Sequence, residues 1–148
     1  MSIIRNPIRA GYEEGEFTPS IIAQTPGDVA VAYTTQSGLY SKIGNRVMYD
    51  IVMVTSSFPH TTASGQIRID ITGAPTPNSN SSSPAATVLA GLTIPANVSH
   101  CNFRTAGTNQ FLRLIGSATN GGASNNVAIT AFTTGSSVEI RVSGSYLV

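Results

Sequence analysis

Short runs of β-branched and aromatic residues, broken by Gly, Pro, Asn and Ser, recur along the whole chain. No segment sustains apolar residues at i, i+3, i+4 and i+7, so the pattern predicts strands rather than helices. The runs are Phe17–Ala23, Val29–Thr35, Gly38–Ile43, Arg46–Thr55, Gln66–Thr72, Thr87–Ile94, Val98–Phe103, Gln110–Gly116, Val127–Phe132 and Ser137–Tyr146. Gln66–Thr72 alternates cleanly: Ile67, Ile69 and Ile71 on one face, Gln66, Arg68 and Asp70 on the other. Such alternation predicts one face on the core and one in water. The longest apolar run, VMYDIVMV within Arg46–Thr55, predicts a central strand buried on both faces or nearly so. Between two of these runs lies Gly44-Asn45, which suits a tight turn because both residues tolerate positive φ.

Two stretches interrupt the strands. GAPTPNSNSSSP at 73–84 and TNGGASNN at 119–126 are turn-rich and read as exposed loops. The sum is an all-β fold, a single jelly-roll-like β-sandwich of about 8–10 strands over residues 12–148. Residues 1–11 read as an extended arm. Ile3, Ile4 and Ile8 on that arm have no core of their own, so with Arg5 and Arg9 they are expected to dock against a neighbouring subunit or a larger particle.

Composition narrows the partners. Charged residues are 10% of the 148, against a usual ~25%, and Ser, Thr and Asn together supply 45. The surface is therefore mostly hydroxyl and amide. Net charge is +1, Lys and Arg are scattered singly, and no charged residue lies between Asp70 and Arg104. An electrostatic footprint for nucleic acid is missing from such a distribution. No run of about 18 apolar residues exists, so no helical membrane insertion is expected.

Catalytic patterns are scarce. Cys101 is the one cysteine, which excludes an intrachain disulfide and a thiolate cluster; it reads as a small hydrophobe beside Phe103. His100 is its neighbour, but adjacent strand residues point to opposite faces. The seven carboxylates are Glu13, Glu14, Glu16, Asp28, Asp50, Asp70 and Glu139. Asp50 and Asp70 sit on candidate neighbouring strands and could meet as an acid pair, or Asp50 could pair with Arg68 or Arg46 across the sheet. His60 and His100 could share a metal, but no ligand spacing supports it. No nucleophile elbow, dinucleotide fingerprint or phosphate loop occurs. No enzyme activity, cofactor or metal is expected.

The remaining signal is local and specific. YEEGEFTP at 12–19 and YTTQSGLYSKIGN at 33–45 resemble the YEEGTWTP and Tyr-x-x-Gln-x-Gly-x-Tyr-x-Lys-Ile-Gly-Asn blocks of terminal modules in bacteriophage tail fibres and tail spikes, with Phe17 where Trp is commoner. The residues carrying the likeness are Tyr12, Gly15, Phe17, Pro19, Tyr33, Gln36, Gly38, Tyr40, Lys42, Ile43, Gly44 and Asn45. Gly65-Gln66-Ile67-Arg68-Ile69, Gly73-Ala74-Pro75 and Val142-Ser143-Gly144-Ser145-Tyr146 extend it. The resemblance implies a jelly-roll-like sandwich, commonly a homotrimer, on the outside of a virion. It carries over no catalytic residue. It implies other virion proteins of capsid or tail as partners, and a host surface glycan if the module recognises a receptor. Met1 lies eleven residues upstream of Tyr12, with no shaft between. That favours a capsid decoration (cement) protein held by its arm; the alternative is a receptor-binding tip.

Overall fold

The computed structural model describes residues 11–79, 82–83, 87–119 and 123–148. Two antiparallel sheets face each other as a sandwich. The strands are β1 (Tyr12–Phe17), β2 (Ser20–Thr25), β3 (Ala32–Ile43), β4 (Arg46–Ser57), β5 (Ser64–Asp70), β6 (Ser82–Ser83), β7 (Thr87–Ala90), β8 (Val98–Ala106), β9 (Asn109–Ala118), β10 (Asn125–Asn126) and β11 (Glu139–Leu147). The first sheet runs β1-β3-β4-β11, with β6 and β7 sharing the far edge of β11. In the second, β8 covers one side of β9, while β5 and β10 share the other and β2 forms the edge beyond β5. The arm residues Ile3, Ile4, Arg5, Ile8 and Arg9 lie outside the described residues.

Alternation places the core between the sheets. Val47, Ile51, Met53, Ile140, Val142 and Tyr146 point inward from the first sheet; Ile21, Ile67, Ile69, Phe103, Leu112 and Leu114 meet them from the second. In Gln66–Thr72 all three isoleucines are buried as the alternation predicts, but Gln66 on the other face is buried too, its amide bonded to Asn126 (2.9 Å), while Arg68 and Asp70 are half-exposed. The expectation for Arg46–Thr55 is corrected. β4 is central, but it is buried on one face only. Arg46, Met48 and Asp50 are exposed and Val52 and Val54 half-exposed, because no layer of the described residues covers the outside of this sheet. Tyr12, Leu39, Ile43 and Met48 are 44–56% exposed on the same open face.

Three further differences have local causes. The run Phe17–Ala23 is two strands in different sheets, parted at Thr18-Pro19; proline cannot donate to a ladder, so the chain crosses between layers there. Val29–Thr35 and Gly38–Ile43 merge into the single strand β3, whose register slips between Ala32 and Thr35. Val127–Phe132 is a turn of 3-10 helix at Ile129–Ala131, with the Phe132 N–H bonded to the Ile129 carbonyl. A short apolar run without alternation does not separate a strand from a buried turn.

Loops at one end are tied by polar groups. Asp28 accepts bonds from the Thr61 hydroxyl and from the N–H groups of Thr61 (2.8 Å), Thr62 (2.7 Å) and Ala63 (3.2 Å). His60 is buried, Nδ1 2.8 Å from the Phe58 carbonyl and Nε2 2.9 Å from the Phe132 carbonyl. This clamp joins the β4–β5 loop to the segment before β11.

Tyr49 is 3% exposed and its hydroxyl has no hydrogen-bond partner among the described residues, whereas the Tyr146 hydroxyl donates to the Pro75 carbonyl at 2.7 Å. Tyr49→Phe is expected to raise unfolding free energy by about 1 kcal/mol and Tyr146→Phe to lower it by a similar amount; urea denaturation of both variants checks the opposite signs. The bonds from the Thr61 hydroxyl, the Thr62 N–H and the Thr61 N–H, in that order, hold the Asp28 carboxyl well below the usual carboxylate range. Ionised Asp28 therefore stabilises the fold fully above its unfolded value of about 4. That contribution fades as pH falls from there toward the depressed folded value. The stability gap between the parent and Asp28→Asn should be flat from about pH 6 to 8 and shrink below about pH 4; denaturant midpoints across that range measure it.

Candidate functional site

The two sequence blocks meet as one clasp. β1 and β3 pair antiparallel, with Gly15 opposite Tyr40, Phe17 opposite Gly38 and Glu13 opposite Lys42. Each glycine lies under an aromatic ring of the other strand. A Cβ on Gly15 would fall 2.8 Å from the Tyr40 ring, and one on Gly38 would fall 2.7 Å from the Phe17 ring. The Tyr40 hydroxyl donates to Glu13 Oε1 (2.7 Å), Lys42 Nζ lies 3.6 Å from Glu13 Oε2, and the exposed Tyr12 hydroxyl donates to Glu14 (2.6 Å). The carboxylates raise the Tyr40 and Tyr12 hydroxyls above their ordinary values by accepting these bonds.

The clasp continues past the crossing. Gln36 Nε2 donates to the carbonyl of buried Pro19 (2.8 Å), and the Ile21 N–H donates to the Tyr33 hydroxyl (2.7 Å). β2 is an edge strand, so Tyr33 supplies a partner that no neighbouring strand offers. Gly44-Asn45 closes the β3–β4 hairpin, with φ +60° at Gly44 alone, the form that needs glycine first. The motif residues thus build the pairing and the crossing, and two open surface hollows lie over them, one lined by Gly15 and Tyr40 and the other by Phe17, Gln36 and Gly38.

The candidate acid and metal groups are dispersed. Asp50 lies on the outside of the first sheet and accepts from the Ser143 hydroxyl; Asp70 lies in the second sheet and accepts from Thr72 N and Oγ1. The acid pair that they could have formed is not there, because β4 and β5 belong to different sheets. Nor does Asp50 pair with a cation: Arg46 donates to Ser145 (3.0 Å) and Arg68 is in the other layer. His60 has both nitrogens against carbonyls, while His100 is exposed on β8 beside Ser99, so the two do not converge. Cys101 is half-buried on the core side of β8 with Phe103, and burial pushes its thiol up. Among the described residues no three His, Cys, Asp or Glu side chains could share a metal ion.

A constellation that sequence reading missed lies on the outside of the second sheet. Arg68 on β5 pairs in register with Arg113 on β9, and Arg113 with Arg104 on β8. Three arginines scattered over 68–113 therefore form one row across three strands. Burial, then Arg104 and Arg68, hold the Arg113 guanidinium below its ordinary value. Arg68 Cζ sits 4.4 Å over the Phe111 ring. A groove of about 340 Å³ beside the row is lined by Gln66, Arg68, Asn109, Phe111 and Arg113. Alternation signals only that Arg68 faces outward; the cross-strand register that assembles the row is absent from the sequence pattern.

No family model matches the chain, and no curated protein sequence matches it. Among solved structures, the sandwich is similar to part of the Dettilon tailspike protein (gp208), with a TM-score of 0.64 and 18% identity. The likeness covers 91% of this chain and 23% of that one. It is a likeness of fold to one segment of a phage tailspike.

The glycine–aromatic fit has a direct test. Gly38→Ala should destabilise the fold by about 1–3 kcal/mol, since Phe17 is buried and cannot swing into water. Adding Phe17→Leu should recover part of that loss. A double-mutant cycle by chemical denaturation reads the coupling; simple additivity would mean that the two side chains do not compete for space.

Proposed function

We propose that the chain is a non-enzymatic structural module of a bacteriophage virion, displayed on the particle surface as a homotrimer. The observation that carries this reading is the fold likeness to a tailspike segment over 91% of the chain. The clasp motifs at 12–19 and 33–45 point the same way. The dispersal of Asp50, Asp70, His60 and His100 supports a binding role rather than a catalytic one.

Its role on the particle is that of a receptor-binding module borne on a tail fibre or spike, recognising host surface glycan. The tailspike likeness favours that position. A second reading is a capsid decoration protein, favoured by Ile3, Ile4 and Ile8 with Arg5 and Arg9 on the arm, a composition suited to docking on a shell.

Immunogold labelling of intact particles separates the two. Label at the tail tip, with binding of the isolated chain to host cells, is the expected result. Label on the head, lost when residues 1–10 are deleted, establishes decoration instead. Size-exclusion chromatography with light scattering should show a trimer of the purified chain; a monomer at micromolar concentration would remove the oligomeric part of the proposal.

A further inference from the structure

The arginine row is an energetic oddity. Like charges directly opposite each other on adjacent strands repel and destabilise a sheet. Relief from a carboxylate would be the ordinary solution. All seven Asp and Glu residues lie within the described part of the chain, yet the ion pairs among described residues are Lys42–Glu13 and Arg141–Glu139, both in the first sheet. Asp70 shares the outer face of β5 with Arg68, but its Oδ1 is committed to Thr72. Arg68 and Arg104 thus have no carboxylate within ion-pair distance.

The row is also preorganised. The Arg68 guanidinium is held over Phe111, and its buried Nε has no hydrogen-bond partner among the described residues. β5, β9 and β8 are spaced by backbone ladders, so the three arginine positions span two inter-strand steps, roughly 10 Å. Uncharged amides flank them: Gln66, bonded to Asn126 at 2.9 Å, and Asn109, bonded to the Ala106 carbonyl at 2.6 Å. Apart from Asp70, whose Oδ1 is held by Thr72, the groups beside the row are hydrogen-bonding amides rather than charges.

We propose that the Arg68–Arg113–Arg104 row and its adjoining groove bind the carboxylate or phosphate groups of an acidic polysaccharide. Guanidinium forks match such groups in a two-point geometry, and the flanking amides suit sugar hydroxyls. Nucleic acid fits poorly. Phe111, the aromatic ring of the groove, is already covered by Arg68, so no base-stacking platform is free there, and three charges do not track a phosphate backbone. This inference deepens the receptor-binding reading and takes its biological ligand from it; the site itself stands on the geometry of the row.

The test uses the full chain with four polymers: polygalacturonate (carboxylate), polyglycerol phosphate (phosphate), dextran (neutral) and poly-L-glutamate (a polyanion without sugar). Titration calorimetry at about physiological salt should show one or both acidic saccharide probes binding at least tenfold more tightly than dextran and poly-L-glutamate. Arg68→Gln and Arg104→Gln should each weaken that binding roughly tenfold or more. Arg141→Gln, on the other sheet, should leave it unchanged. Circular dichroism confirms that each variant is folded, and the exposed Arg104 supplies the test if Arg68→Gln is not. Polygalacturonate and polyglycerol phosphate separate the carboxylate from the phosphate form of the ligand. Equal binding of poly-L-glutamate, no binding of either acidic saccharide, or equal losses in Arg141→Gln would each overturn the proposal. Host cells distinguish the two levels. Cell binding that survives both row variants sinks this site and leaves the receptor reading standing. Saccharide binding through the row without cell binding sinks the receptor reading and leaves the site.

Discussion

The steric exchange between β1 and β3 is the constraint on which the sandwich depends. Two glycines lie where a ring from the opposite strand must pass, so each strand supplies a gap for the other's aromatic. Phe17 enters the core only because Gly38 has no Cβ, and Tyr40 crosses β1 only because Gly15 has none. This fixes register, since a slip of one residue would set each ring against a side chain and turn Phe17 to solvent. The next residues then leave the first sheet at Pro19 and enter the second as β2. Gln36 and Tyr33, on the same strand as Gly38 and Tyr40, hold that departure by bonding Pro19 and Ile21. One strand thus sets both the pairing of β1 and the crossing to β2, which explains why so many specific residues crowd into two short blocks.

That arrangement also explains what the chain made legible. Alternation in Gln66–Thr72 marked its core face because the side-chain period of a strand is local. The Gly44-Asn45 turn was legible for the same reason. Pro19 marked a break that a run of apolar residues on either side concealed. Register between strands distant in sequence is different: it is set by the assembled layers. Asp50 and Asp70 were drawn together as candidates by chain order, yet they lie in separate sheets. Arg68, Arg104 and Arg113 seemed scattered for the same reason, yet β8, β9 and β5 bring them side by side. The clasp residues are legible as a resemblance in sequence, but their roles depend on the β1–β3 register that puts Gly38 beneath Phe17.

The two outer faces divide the surface chemically. The first sheet exposes Tyr12, Leu39, Ile43 and Met48 among Ser, Glu and Arg side chains, and its cations are answered: Lys42 and Arg141 by carboxylates, Arg46 by a hydroxyl. Asp50 there is answered by Ser143. On the second sheet Arg68 and Arg104 have no carboxylate within ion-pair distance, and Arg68 lies over Phe111 instead. A protein with so few charges could have spaced them apart at little cost, and alternation offers many outward positions on β5, β8 and β9.

Low overall charge sharpens the effect of such a row. With a net charge of +1 and few ionic groups elsewhere, the potential of the second face is set mainly by the three arginines. Their span of roughly 10 Å is close to the ~8 Å screening length at physiological salt, so an approaching anion senses them as one group rather than three. On that face Asp70, with Oδ1 held by Thr72, is the one opposing charge beside the row on β5, and the remaining neighbours are mostly hydroxyls and amides. Affinity for a polyanion would then depend on matching charge spacing to the inter-strand distance, and a rigid β-ladder sets that distance more closely than flexible loops could.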